Sequence, residues 1–249
     1  MMTREEREIQ QLHDTWDGHA RSDPLWAIVS KPDMRNGRWV ESDFYETGRR
    51  EIGAVMGRLE EVAPLMQRKR ALDFGCGVGR GTEALGEYFE RVDGVDISEA
   101  MVEQARAATT HPGTCIYQVN AGPDLSLFED ASFDLVHSYI VLQHVGRALA
   151  TGYLREFVRV LRPGGVLHFQ LPTSPRWDLR GLIIRFAPTA LLERINQGMW
   201  MEGMSERQVR RLLEGMDLVI LNVADDGSAG EHWHSRRYTA AKPRPASRS

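Results

Sequence analysis

Ala71-Leu72-Asp73-Phe74-Gly75-Cys76-Gly77-Val78-Gly79 is the stretch from which the fold of this 249-residue chain is read. A short apolar run ends in three glycines at alternate positions, and a helical pattern follows. Glycine lets the main chain turn sharply and lets a ligand approach the backbone. Strand, glycine loop and helix in that order predict the first unit of an open α/β sheet, whose ligands lie beyond the carboxyl ends of the strands.

The same rhythm extends outward. Upstream, residues 47–66 place Ile52, Val55, Met56, Leu59 and Val62 on one helical face. Downstream, Val92 to Asp96, Cys115 to Val119, Phe133 to Ser138 and Val166 to Leu171 read as strands. Ser98 caps a helix after the second strand, and a helix over about 147–161 is stopped by Pro163-Gly164-Gly165. A helix at 205–214 precedes two last strands near 217–224 and 233–240. Strands alternating with helices give βαβ units with helices on both faces of the sheet. The expected fold class is therefore doubly wound, Rossmann-like α/β.

Two regions fall outside that rhythm. Residues 3–20 read as a helix, and 21–46, with Pro24, Pro32 and Gly37, as an irregular connector. Trp16, Trp26, Trp39, Phe44 and Tyr45 are dense there, and aromatic rings need burial, so this segment is expected to pack over something. Residues 176–204 read as a helical insertion carrying Trp177, Ile183, Ile184, Phe186, Leu191, Leu192, Met199, Trp200 and Met201. The expected organisation is a lid or connector (1–46), a core (47–175), a helical cap (176–204), the end of the core sheet (205–242) and a tail (243–249).

Composition narrows the function classes. A net charge of -4 gives no basic field for a nonspecific grip on nucleic acid. Cys76 and Cys115 form neither a disulfide framework nor a CxxC zinc motif. No apolar run nears the roughly 20 residues that span a bilayer, and the charged N-terminus lacks a signal-peptide core. These features suggest a soluble cytoplasmic protein, monomer or homodimer, with no membrane partner. Lys31, Lys69 and Lys242 are the only lysines, a bias that suggests GC-rich bacterial coding.

The loop also discriminates between ligands. A nicotinamide fingerprint would place its third glycine at position 80, which is Arg80. Asp73, two residues before the first glycine, would repel a pyrophosphate and attract an ammonium. S-adenosylmethionine carries an ammonium and a sulfonium but no phosphate. Asp96, at the end of the second strand, can accept both hydroxyls of a ribose. Asn120-Ala121 ends the third strand, where an amide can address an adenine amino group, with Ile97 and Met101 flanking the ring.

These residues resemble the class I methyltransferases, in particular the bacterial type 11 group, over about Ala71 to Pro172. The matching blocks are Ala71 to Arg80, Gly94-Val95-Asp96-Ile97-Ser98, Phe133-Asp134-Leu135-Val136, Leu142-Gln143-His144-Val145, and Leu161 to Leu167. Asn120 stands where many members have Asp. The resemblance implies a seven-stranded sheet with the last strand antiparallel, and S-adenosylmethionine as cofactor with S-adenosylhomocysteine as product. It assigns cofactor contacts to Asp73, Gly75, Cys76, Gly77, Asp96, Ile97, Met101, Asn120, Ala121, Ser138, Tyr139 and Gln143. Tyr45 and Arg49 are expected to fold over the methionine carboxylate; an exposed ion pair is the other reading of the arginine.

His144, just beyond the fourth strand, is the candidate general base, because imidazole titrates near neutrality. A pocket-shaping role is the alternative. A small-molecule acceptor methylated at a hydroxyl follows, with a sugar or glycoside as first expectation and a lipid, quinone or polyketide as second. A nucleotide-dependent oxidoreductase and a non-catalytic S-adenosylmethionine-binding protein remain competing readings. No residue is assigned as a metal ligand. The late cluster Asp225, Asp226, Glu231, His232 and His234 nevertheless offers donors for a divalent metal such as Mg2+, against the reading of solvated turn acids.

Overall fold

The computed structural model describes residues 2–186 and 201–245. Its strands are β1 (Arg70–Phe74), β2 (Arg91–Asp96), β3 (Cys115–Val119), β4 (Phe133–Ser138), β5 (Leu161–Pro175), β6 (Val219–Asp226) and β7 (Trp233–Ala241). They form one seven-stranded sheet in the order β3-β2-β1-β4-β5-β7-β6. Strands β1 to β5 pair in parallel, and β7 runs antiparallel to both β5 and β6. The chain moves outward from β1 to β3, then returns to place β4 on the other side of β1. That reversal opens a crevice at the carboxyl ends of β1 and β4.

Central parallel strands are covered on both faces and so read as continuous apolar runs. All six residues of β4 are buried. Its one carboxylate, Asp134, accepts the N–H groups of Lys69 and Arg70 at 3.0 and 2.9 Å, and the Arg162 guanidinium sits 3.1 Å away.

The helices are α1 (Arg4–Ser22), α2 (Pro24–Ile28), α3 (Glu41–Val62), α4 (Arg80–Leu85), α5 (Glu99–Ala108), α6 (Arg147–Val160), α7 (Leu179–Phe186) and α8 (Glu206–Glu214). Short 3-10 turns cover Pro32–Met34 and Leu142–His144. One face of the sheet is covered by Ile52, Met56 and Leu59 of α3 with Leu85, Val102 and Ala105. The other is covered by Tyr153, Leu154 and Phe157 of α6 with Val209 and Leu213 of α8.

The N-terminal segment departs from its expected form. Residues 21–46 hold α2, a 3-10 turn and the start of α3, which begins at Glu41 rather than 47 and ends at Val62 rather than 66. Pro24 and Pro32 open helical turns, where a missing N–H costs nothing. Strand β5 starts at Leu161, before the Pro163-Gly164-Gly165 turn, because Leu161 already pairs with Phe133. The expected cap contributes α7; Leu191, Leu192, Glu193, Asn196, Gln197, Met199 and Trp200 lie outside the described residues, as does the tail from 246. Among the described residues no helix is long and apolar enough to cross a membrane.

Candidate active site

The glycine loop leaves β1 and is tied back to β2, with the N–H groups of Gly75 and Cys76 donating to the Val95 carbonyl at 2.8 and 3.0 Å. Gly75 and Gly77 hold φ of 77° and 53°, a region that side chains avoid. A Cβ on Gly77 would come within 2.6 Å of Ile28 Cδ1. The loop therefore presents bare backbone to the space above it.

That space is a cleft with about 790 Å³ of empty space, the open solvent at its mouth included. Gly75, Gly77, Asp96, Ile97, Met101 and Asn120 line it from the core, with Leu12, Trp16, Ala27 and Ile28 from the N-terminal helices. Tyr139, Ile140, Val141 and His144 close it from the segment after β4. Asp96 Oδ2 accepts the Gly77 N–H at 2.8 Å and its Oδ1 the Ser98 N–H at 3.0 Å. Burial raises the Asp96 carboxyl above its usual range, opposed by those backbone donors. Asn120 is buried, and its Nδ2 has no hydrogen-bond partner. Among the described residues lysine and arginine are absent from the lining, and none that line it would neutralise a diphosphate.

A second, wider cavity shares Ala27, Ile28, Tyr139, Ile140 and His144 with the first. Its walls are aromatic and apolar at Trp26, Trp233, Ile184 and Met201, and charged at Glu51 and Arg80. Arg80 pairs with Glu51 at 2.9 Å; Arg80 Nε and Glu51 Oε1 are buried without a hydrogen bond, and Glu51 Oε1 lies 4.0 Å from Nη1 of Arg237. Burial lifts the Glu51 carboxyl above its usual range, against the pull of Arg80. The Arg237 guanidinium lies 4.4 Å over the Tyr139 ring, and Nη2 of Arg237 donates to Oη of Tyr139 at 2.6 Å. Ile140 adopts φ of 60°, a strained value for a β-branched residue, at the junction of the two spaces.

His144 belongs to both cavities. Its ring meets Trp16 edge-on at 5.2 Å. His137 on β4 and His168 on β5 are buried in the sheet, 5.4 Å apart between ring centroids; burial holds both imidazoles neutral, His168 at about 3.

The structure brings together most residues expected from the sequence. Gly75, Gly77, Asp96, Ile97, Met101, Asn120, Tyr139 and His144 line the first cleft, and Gln143 lines the second. Cys76 and Ser138 are buried beneath the loop and strand end, and neither they nor Ala121 line either space. Asp73 does not line either space; its carboxylate accepts the Thr82 hydroxyl at 2.7 Å beneath the loop. Tyr45 and Arg49 do not line either cavity. Tyr45 donates to the Val78 carbonyl at 2.9 Å and Arg49 pairs with Glu46 at 2.8 Å, both away from the two cavities. The sequence reading missed Leu12, Ile28, Glu51, Arg80 and Arg237. Only the aromatic density before residue 46 signalled that the N-terminal segment covers the site.

The late acidic cluster does not gather as a metal site among the described residues. Asp225 pairs with Arg236, Asp226 with Arg237 at 2.5 Å, and His232 with Asp178 at 3.2 Å. A different trio, Glu83, His111 and Cys115, brings ligand atoms within 4.8 Å of one another. Glu83 there already accepts from Thr109, Thr110 and Tyr117, bonds a metal would have to displace.

Residues 72–169 match the family model of a methyltransferase domain. A ubiquinone biosynthesis O-methyltransferase of Idiomarina loihiensis is 33% identical over 143 residues, 57% of this chain and 58% of that protein. Its counterpart in Xanthomonas campestris is 31% identical over 133 residues, 52% of this chain and 54% of that protein. The chain thus spans a little over half the length of these curated relatives. A magnesium protoporphyrin IX methyltransferase from Synechocystis, solved with bound S-adenosylhomocysteine, superposes with a TM-score of 0.65. The superposition covers 94% of this chain and 99% of that one at 17% identity, a likeness of fold.

Proposed function

Because residues 72–169 make this chain a member of the class I S-adenosylmethionine-dependent methyltransferases of type 11, we propose that it methylates a hydroxyl of a small aromatic or quinone-type molecule, with His144 as general base. The observation that carries this reading is the position of His144 on the wall shared by two cavities.

The first cleft fits the cofactor. The partnerless Nδ2 of Asn120 offers a donor for adenine, and Asp96 retains acceptor capacity for ribose hydroxyls. The bare backbone at Gly77 allows close approach. For the zwitterionic methionine end, Arg80 and Glu51 offer opposite charges, each with a buried atom that makes no hydrogen bond. They replace Tyr45, Arg49 and Asp73 in that role. When bound, S-adenosylmethionine supplies a sulfonium-activated methyl group for in-line displacement.

The protein's own work is alignment, water exclusion and proton removal. An acceptor hydroxyl in the second cavity would give its proton to His144, which lines that cavity. Trp16 holds the imidazole from the N-terminal side. Trp26, Trp233 and Tyr139 favour a flat acceptor over the sugar first expected, in keeping with the quinone-pathway names of the relatives.

His144→Ala is expected to retain S-adenosylhomocysteine binding by calorimetry and lose roughly 100-fold or more in kcat on a catechol acceptor. Undiminished turnover by the variant removes the base assignment.

A further inference from the structure

Among the described residues, Asn36, Ala131, Ile140 and Asp217 hold a positive φ without being glycine. Asn36, Ala131 and Asp217 are exposed and line neither cavity. Asn and Asp visit this region readily, and Ala131 sits in the turn before β4. Ile140 is different: it is β-branched, half-buried, lines both cavities and has φ of 60°. A left-handed residue brings its Cβ against the following carbonyl oxygen, and branching at Cβ adds to the crowding.

The two neighbours explain the strain. The pairing of β4 with β5 ends at Ser138, opposite Phe169. Tyr139 is fastened to β7: its Oη accepts from Arg237 Nη2 at 2.6 Å, and the guanidinium covers its ring at 4.4 Å. Arg237 is held in turn by Asp226 Oδ2 at 2.5 Å. Val141 is fastened to the loop after β1. A Cβ on Gly75 would lie 2.6 Å from Val141 Cγ1, so the valine fills the space that the glycine leaves. In the sheet, β1 and β7 lie on opposite sides of β4. Residues two apart in the chain are thus tied in opposite directions, and Ile140 absorbs the difference.

We infer that Ile140 is a specificity-determining residue, a partition fixed by this opposed fastening, which decides which of two adjacent hydroxyls on the acceptor is methylated. The inference deepens the reading of the second cavity as the acceptor site and rests on it. A residue that lines both spaces stands beside the path between cofactor and acceptor. Transfer along a line tolerates little misplacement, and an error of about 1 Å can lower the rate on the order of 100-fold. A flat ring with two neighbouring hydroxyls can present either one by turning in its own plane. The aromatic walls at Trp26 and Trp233 favour flatness without telling those two poses apart. A branched side chain on a backbone that cannot yield does tell them apart. Strain of this kind persists only where the surroundings over-determine it, and it collects at active sites.

4-Methylcatechol carries two adjacent hydroxyls that give two distinguishable methyl ethers. At saturating S-adenosylmethionine the wild type should form one of them in roughly tenfold excess or more. Ile140→Val keeps a branched wall and should keep that ratio. Ile140→Ala and Ile140→Gly should bring it to within about twofold of unity. The ratio is internal to each turnover, so neither the folded fraction nor the cofactor affinity enters it. A wild type that makes both ethers equally overturns the proposal, as does a wild-type ratio in both Ile140→Ala and Ile140→Gly. Urea unfolding reads the strain without any turnover. At a relaxed position alanine is the more stable of the two, because glycine has more freedom to lose; at positive φ the order reverses. Ile140→Gly should therefore unfold at a higher urea concentration than Ile140→Ala, and the opposite order also overturns the proposal. A wild type that binds S-adenosylhomocysteine yet methylates neither hydroxyl removes the acceptor reading and this inference with it. That result is distinct from an active enzyme whose isomer ratio the variants leave unchanged, which removes the inference alone.

Discussion

Asp73 and Asp96 end neighbouring strands, yet their surroundings give them different work. Asp96 opens onto the cleft, whereas Asp73 is enclosed beneath the loop with the Thr82 hydroxyl. Burial lifts Asp73 to about 6, against the opposing pull of Thr82 and Arg80. In the unfolded chain the same carboxyl releases its proton near pH 4. Between those values the folded state holds the extra proton, so stability falls as pH rises through the window. At about 1.4 kcal/mol per unit, the loss complete above about pH 6 is on the order of 3 kcal/mol. Asp73→Asn keeps an acceptor for Thr82 and carries no charge. In urea unfolding the variant should exceed the wild type by about 1–3 kcal/mol at neutral pH, with the gain vanishing below about pH 4. Its S-adenosylhomocysteine affinity should stay unchanged. A variant less stable than the wild type at neutral pH, or one that no longer binds, would restore a direct ligand role to Asp73.

At the scale of elements, α1 is the piece that converts an open crevice into a cleft. It contributes Leu12 and Trp16 to the lining. Two carboxylates fasten it to the core. Asp17 Oδ1 accepts the Ser98 hydroxyl at 2.8 Å and the Ala100 N–H at 3.1 Å, at the start of α5. Glu8 Oε1 accepts the Gly146 N–H at 2.7 Å, at the start of α6. Both anchors meet the positive ends of helix dipoles, where an anion is favoured. Glu8→Ala with Asp17→Ala should release α1 without unfolding the sheet. Limited proteolysis should then cut within residues 4–22 while the far-ultraviolet spectrum stays near that of the wild type, and S-adenosylhomocysteine should slow the cleavage. Equal resistance of variant and wild type would show that apolar contacts alone hold α1. Strands β1 and β4 were legible because each is a short, largely apolar run. Helix α2 and the 3-10 turn at Pro32–Met34 were not, because Pro24 and Pro32 read as breaks until their place at helix starts is known. The clasp between α1 and α5 joins residues 17 and 98, a pairing no local pattern contains.

Across the whole molecule, the site is built from parts far apart in the chain. The loop after β1 and the end of β2 were readable because motif spacing reports them directly. Glu51, Arg80 and Arg237 were not, since only the α3–α4 packing and the β5–β7 pairing bring them together. A ligand in the first cleft would touch residues from Leu12 to Tyr153, and hence groups that separate when the chain unfolds. A compound that binds only the folded form stabilises it by about 2.7 kcal/mol at 100 times its Kd. For a domain of this size each kcal/mol moves Tm by roughly 2–4 °C, so S-adenosylhomocysteine at that excess should raise Tm by about 5–10 °C. NAD at the same concentration should leave Tm where it was, because the described residues of the cleft lining offer Asp96 and no lysine or arginine to meet a diphosphate. An equal or larger shift with NAD would mean that the dinucleotide finds its cations outside the cleft, and that the charge argument for a sulfonium ligand fails.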